Sequence, residues 1–213
     1  MICLTLLTGI RISALISLKM KSFDKKNMLF DQNPADGVKT KNSKRIPTTF
    51  FPIGWDKAEE YFIEWYEYLE LKGFQPEDPI FPSTLNLFGS ESNAYSKEFV
   101  SKGFWSGTNG ARKIFEKRCI NAGLRYFNPH SLRHSVVNIL SKIRLTEEEK
   151  KAISLNLGHA NIGTTFGSYG YGSMSNENAI EIVLRLKNQG DNKNQVGISD
   201  EDRVVLKRIA GSI

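Results

Sequence analysis

The stretch from Asp56 to about Lys72 constrains this chain most: Phe62, Trp65, Tyr66 and Leu69 recur at helical spacing, and Gly73 stands beyond them as a stop. A helix with one apolar stripe has to bury that stripe against another packed element. Further helices are well marked. Thr108 is placed to cap one that runs through Ala122 to Gly123, and Asn128 to cap the next, with Pro129 at its first position, where a missing N–H does no harm. Thr146 and Glu149 read as a capping box for a helix ending near Gly158. Near the start, Thr8 or Gly9 opens a short helix with Ile12, Leu15, Ile16 and Leu18 on its apolar face. Ser175 or Asn176 opens one through Lys187 that contains Ile180, Val183 and Leu184.

Between Phe23 and Pro52 the helical period disappears, and Asn33-Pro34 and Asp36-Gly37 mark turns. The segments 27–31, 37–41 and 44–49 read as three short antiparallel strands, the last two closed into a hairpin by Lys41-Asn42-Ser43-Lys44. The residues from Gln75 to Gly107 carry no clear pattern. The expected fold class is α+β, mainly helical with a small three-stranded antiparallel sheet. A polar linker at 188–197 and a basic helix from Ser199 follow, so the expected division is one domain over 1–187 and an appendage over 188–213.

With 213 residues the chain can bury a sizeable core, and 29 Lys+Arg against 23 Asp+Glu leave a net charge of +6, which favours a polyanionic partner. Cys3 and Cys119 form no CxxC pair and read as reduced thiols of a cytoplasmic protein. The apolar start is too short to span a bilayer and has no basic flank or cleavage site. The chain opens almost inside the helix that carries Arg11. We therefore expect the C-terminal part of a longer protein, or a gene with a lost or misassigned start.

The chemistry sits mainly in Asn128-Pro-His-Ser-Leu-Arg-His134, Leu157-Gly-His159 and Phe166-Gly-Ser-Tyr-Gly-Tyr-Gly172. His130 falls in the first turn of its helix with Arg133 three residues on, so both can face one ligand near a helix N-terminus, where backbone N–H groups favour an anion. Read blandly, His130 is a surface or capping histidine and Arg133 an ion-pair partner. Tyr169 and Tyr171 lie among glycines rather than aliphatic neighbours, which suits a nucleophile that moves.

Thr8-Gly-x-Arg11-x-Ser13, His130-x-x-Arg133-His134, Leu157-Gly-His159 and Thr164-Thr165 leading to Tyr169 together resemble the tyrosine recombinase (phage integrase) family, over its catalytic domain, from residue 1 to about 187. The resemblance implies a DNA breaking-rejoining fold that cuts one strand by tyrosine attack through a 3′-phosphotyrosyl intermediate, with no metal or cofactor. Tyr169 would be the nucleophile, with Tyr171 as the alternative. Arg11 and Arg133 would hold the phosphate oxygens, His130 would take the tyrosine proton or hydrogen-bond the phosphate, and His159 would donate to the phosphate. A hairpin lysine would protonate the leaving 5′-oxygen: Lys39, which stands eight residues before Pro47 as the family pattern has it, or alternatively Lys41. The implied partners are double-stranded DNA, three further copies in a synaptic tetramer and accessory DNA-bending proteins, in the nucleoid. Three departures stand out: Ala14 where the family often has an acid, Tyr169 ten rather than nine residues after His159, and the missing N-terminal DNA-clamping domain.

Two rival readings come from other classes. His130 and His134, four apart on a helix, with His159, could ligate zinc in a hydrolase, although Ser131 stands where such enzymes carry a glutamate base. A truncated remnant that binds DNA without turnover is the other.

Overall fold

In the computed structural model of this chain, residues 1–83, 101–170 and 180–181 are described. The chain divides into two compact units, Met1–Gly172 and Ser173–Ile213. The boundary expected at 187, the linker and the last helix lie outside the described residues. So does most of the helix expected from 176 to 187, of which 180–181 are helical.

The first unit begins with two short helices, α1 (Ile2–Thr8) and α2 (Ile12–Leu15), rather than with one helix starting at Thr8 or Gly9. Gly9 adopts φ 62°, closing α1 as a left-handed cap whose N–H bonds the Thr5 carbonyl. Arg11 is extended and stands at the N-cap of α2.

The three-stranded antiparallel sheet is present, ordered β1 (Phe23–Asp24), β2 (Leu29–Gln32) and β3 (Ile46–Thr49). Its membership differs from the expectation. The segment 37–41 makes no strand: Gly37 at φ 86° caps a 3₁₀ turn, and the Lys39 N–H goes to the Ser17 hydroxyl at 2.8 Å instead of into a ladder. The expected hairpin tip is itself a short 3₁₀ turn, Lys41–Ser43, with Asn42 and Ser43 at positive φ. β2 therefore pairs with β3 across the whole 33–45 connection, in the register Phe30 opposite Thr48. Phe23, which no alternation marks, supplies the third strand by pairing with Phe30.

Helix α3 (Asp56–Leu71) forms as expected, burying Phe62, Tyr66 and Leu69, with Gly73 at φ 75° beyond its end. Its stripe meets the sheet through aromatic rings: Phe23 stacks on Phe30 with centroids 4.5 Å apart, and Phe62 meets both edge-on at 5.1 and 5.3 Å. Leu4, Leu15, Leu18 and Phe115 complete this core. At roughly 1.5–3 kcal/mol for each large apolar side chain buried, this cluster is the main source of cohesion for the unit.

Helix α4 (Thr108–Asn121) starts one residue after Gly107, so Thr108 is its first residue rather than its cap. In α5 (Pro129–Ser141) the Asn128 side chain accepts from the Ser131 N–H, and in α6 (Glu147–Asn156) Thr146 and Glu149 form the capping box, both as expected. Val136, Val137 and Leu140 of α5 build a second core with Phe51 and Leu157. The Asn156 side chain clamps β3, accepting from the Thr49 N–H at 2.7 Å and donating to its carbonyl at 3.0 Å. The last described element of the unit is a π-helix, Gly163–Gly170, packed on α5. Among the described residues no helix is long and apolar enough to cross a membrane.

Candidate active site

The site is built around Arg133, which α5 carries into the interior with 2% of its surface exposed. Its guanidinium ties three segments together. Nη1 donates to the Gly9 carbonyl at 2.5 Å, and Nη2 donates to the Leu157 carbonyl at 2.6 Å and to Nε2 of His159 at 2.9 Å. Gly9 is required here twice over. Its φ is left-handed, and a Cβ would lie 2.6 Å from Leu157 Cδ2 and 3.5 Å from Arg133 Cγ. Gly158, at φ 75°, likewise lets the end of α6 pass over Ile46, to which a Cβ would approach within 2.5 Å.

His159 follows that turn and is 7% exposed. An arginine nitrogen can only donate, so Nε2 of His159 accepts, and Nδ1 carries the ring proton. Nδ1 in turn lies 2.9 Å from the buried Thr165 hydroxyl, in the π-helix. Burial, and then the positive charges of Arg133, Arg11 and Lys41, push the His159 pKa down to about 4. The ring is neutral at physiological pH.

His130 is exposed in the first turn of α5, and its ring meets that of His134 edge-on at 4.7 Å between centroids. Desolvation, His134, Arg133 and Arg11 all lower its pKa, and desolvation with Arg133 lowers that of His134. Arg11, half-buried at the start of α2, thus faces both His130 and His159 electrostatically. The exposed Lys41 adds its charge to His159 from the 3₁₀ turn between β2 and β3. Lys39, also exposed, lines a shallow depression with Lys19 and Trp105. The arrangement gathers Arg11, Arg133, His130, His159 and Lys41 into one electropositive region. Such a field holds an anion and repels a metal dication. Both ring nitrogens of His159 are already engaged, and among the described residues no group of three His, Cys, Asp or Glu side chains is placed to hold a metal ion.

Tyr169 belongs to the π-helix, while Tyr171 lies outside the described residues. A π-helix takes one residue more per hydrogen-bonded ring than an α-helix, with i→i+5 in place of i→i+4 bonds. Ala14 is buried with 1% exposure, packed in the first core. Sequence reasoning assigned no role to Thr165, to the Gly9 carbonyl or to the Leu157 carbonyl. Thr165 was visible within the Thr-Thr pair, but its hydroxyl faces His159 only because the π-helix turns it inward. Backbone acceptors leave no mark in side-chain identity.

The model of a family described as the phage integrase family matches residues 1–174. Among solved structures, XerA recombinase superposes with a TM-score of 0.51 at 17% identity, over 85% of this chain and 55% of that one. XerH site-specific recombinase, solved bound to palindromic difH substrate in a post-cleavage complex, gives 0.53 at 22% identity, over 86% of this chain and 44% of that one. The chain therefore spans about half the length of these recombinases. The likeness extends to the fold: a mainly helical domain with a small three-stranded antiparallel sheet. No curated protein sequence matches the chain.

Proposed function

This chain belongs to the phage integrase family, and from that premise we propose that it breaks and rejoins DNA strands through a tyrosine nucleophile. The reading rests above all on the gathering of Arg11, Arg133, His130 and His159 around one electropositive region, although they come from three separate segments.

The Tyr169 oxygen attacks the scissile phosphorus, forming a 3′-phosphotyrosyl bond as the bond to the 5′-oxygen breaks. Charge gathers on the two non-bridging oxygens, where Arg11 and Arg133 supply fixed N–H donors; a guanidinium has five, enough to serve protein partners and a phosphate oxygen together. His130, held neutral below its ordinary pKa, is able to take the phenol proton. His159, expected from the sequence to donate to the phosphate itself, acts on it through Arg133 instead, since its Nε2 lone pair holds that guanidinium. A lysine of the β2–β3 connection protonates the departing 5′-oxygen. Lys39 has the family's spacing, while the reach of Lys41 to His159 favours Lys41. Attack on the same phosphorus by a different 5′-hydroxyl reverses the chemistry and rejoins the strands. The domain would run to about residue 187, with 188–213 as linker and basic helix, and four copies would assemble on synapsed DNA.

The tenth-residue spacing of Tyr169 from His159 fits a segment wound as a π-helix, which absorbs one residue relative to α-helical winding. The test is a duplex nicked just beyond the cleavage point, whose short 5′-hydroxyl product diffuses away and traps the covalent intermediate. We expect a protein–DNA adduct that survives denaturant. Tyr169→Phe should abolish it and leave DNA affinity nearly unchanged. Loss of the adduct in Tyr171→Phe instead would move the nucleophile to Tyr171, and binding without any adduct would leave a non-catalytic DNA-binding remnant.

A further inference from the structure

Resting on that reading, we propose that Thr165 is a positioning residue: its buried hydroxyl accepts the Nδ1–H of His159 and so keeps the opposite ring nitrogen as the lone pair that orients Arg133. The two hydrogen bonds form one relay, Thr165 Oγ1 to His159 Nδ1 at 2.9 Å and His159 Nε2 to Arg133 Nη2 at 2.9 Å. All three residues are buried, with Thr165 at 0%, Arg133 at 2% and His159 at 7% exposure.

The direction of the relay follows from donor and acceptor capacities. Arg133 Nη2 has hydrogens and no usable lone pair, so the nitrogen facing it must be unprotonated. A neutral imidazole carries one N–H, which then has to sit on Nδ1. The group 2.9 Å away must accept it, and a hydroxyl can. Were the ring to adopt the other tautomer, an N–H would point at an N–H of Arg133, leaving a buried donor pair without an acceptor between them. The depressed pKa of His159, at about 4, agrees with a ring that does not carry a second proton here.

The consequence concerns Arg133. The Gly9 carbonyl holds Nη1 of its guanidinium, and the Leu157 carbonyl and the histidine share Nη2, so the histidine fixes the second of the two Nη2 hydrogens. A fixed fork presents its donors to a phosphate without reorganising during the reaction. Thr165 touches neither DNA nor the phosphate in this scheme. Its place four residues before Tyr169 also couples the fork to the segment that carries that tyrosine, because both belong to the same π-helix.

The ring state is readable without any activity. In protein labelled with ¹⁵N-histidine, the chain's three imidazoles separate by long-range ¹H–¹⁵N correlation. For wild type near pH 7 we expect His159 as the Nδ1–H tautomer, and an Nε2–H tautomer there would overturn the proposal, whatever the variants do. In the isosteric Thr165→Val the acceptor is gone, and the ring should move toward the Nε2–H form or a mixture, with adduct formation on the nicked duplex slowed about tenfold. Thr165→Ser should restore both. A Thr165→Val ring that keeps the wild-type pattern and an undiminished adduct rate would also refute it. If wild type shows the Nδ1–H form and the valine variant shifts it, yet no variant forms an adduct, the relay stands and the tyrosine-recombinase reading is what fails.

Discussion

At the scale of single residues, the site works by holding titratable groups neutral among cations, and this has a cost in acid. His159 has its folded pKa lowered to about 4, whereas an unfolded imidazole titrates near 6.5. Above roughly pH 6.5 both states are unprotonated and the group has no effect on stability. Between that value and about 4 the unfolded chain takes up a proton that the folded one refuses, so stability falls as pH falls. By pH 5 the loss from this one ring should reach about 2 kcal/mol. Urea unfolding of wild type and His159→Asn at pH 7 and pH 5 isolates it: the wild type should lose about 2 kcal/mol more than the variant over that interval. Equal losses would mean that the ring protonates in the folded state and that Arg133 is not bonded to its lone pair.

At the scale of elements, local signals with a physical cause were readable in the sequence and signals set by distant partners were not. Asn128, Pro129, Thr146 and Glu149 act within one helical turn, so their capping roles follow from order alone, as the Ser131 and Glu149 N–H bonds demonstrate. The amphipathic stripe of α3 is equally local. Strand membership is another matter. The segment 37–41 has the polar, turn-flanked look of a hairpin strand, yet Ser17, twenty-two positions before Lys39, takes its N–H. Phe23 pairs with Phe30 because α3 covers both rings, which no two-residue strand announces. This misread connection carries both candidate lysines, and its actual winding bears on their roles. The turn at Lys41–Ser43 puts the charge of Lys41 on His159, whereas Lys39 lines a depression with Lys19 and Trp105. We therefore expect Lys41→Met to slow cleavage by roughly 10²–10⁴-fold, the usual contribution of a positioned acid. Replacing the bridging 5′-oxygen with sulfur, a leaving group that needs no proton, should restore the rate. Lys39→Met should show neither effect, and the reverse pattern would assign the acid to Lys39.

At the scale of the whole molecule, the order of motifs made the family legible while the assembly of the site stayed hidden. Arg11, His130, Arg133 and His159 each sit in a short recognisable string, but what fixes Arg133 and His159 at the site's centre is a set of backbone acceptors at Gly9 and Leu157 and a threonine on a π-helix. Those links are three-dimensional and leave almost no compositional trace. The charge balance does leave one: 29 basic against 23 acidic side chains, with Arg11, Arg133 and Lys41 concentrated where the histidines feel them. A site of this kind grips a phosphate backbone by displacing its condensed counterions, so affinity is tied to salt in a way that a sequence-reading or apolar contact is not. For the chain on a duplex carrying its cleavage site, binding should weaken by at least roughly a hundredfold between 50 and 200 mM salt. Lys41→Met should flatten the logarithmic slope by about one unit if that lysine reaches the backbone, and Tyr169→Phe should leave it alone. A shallow slope in wild type would mean that the electropositive region is not where DNA lies, and the site would have to be sought on another face.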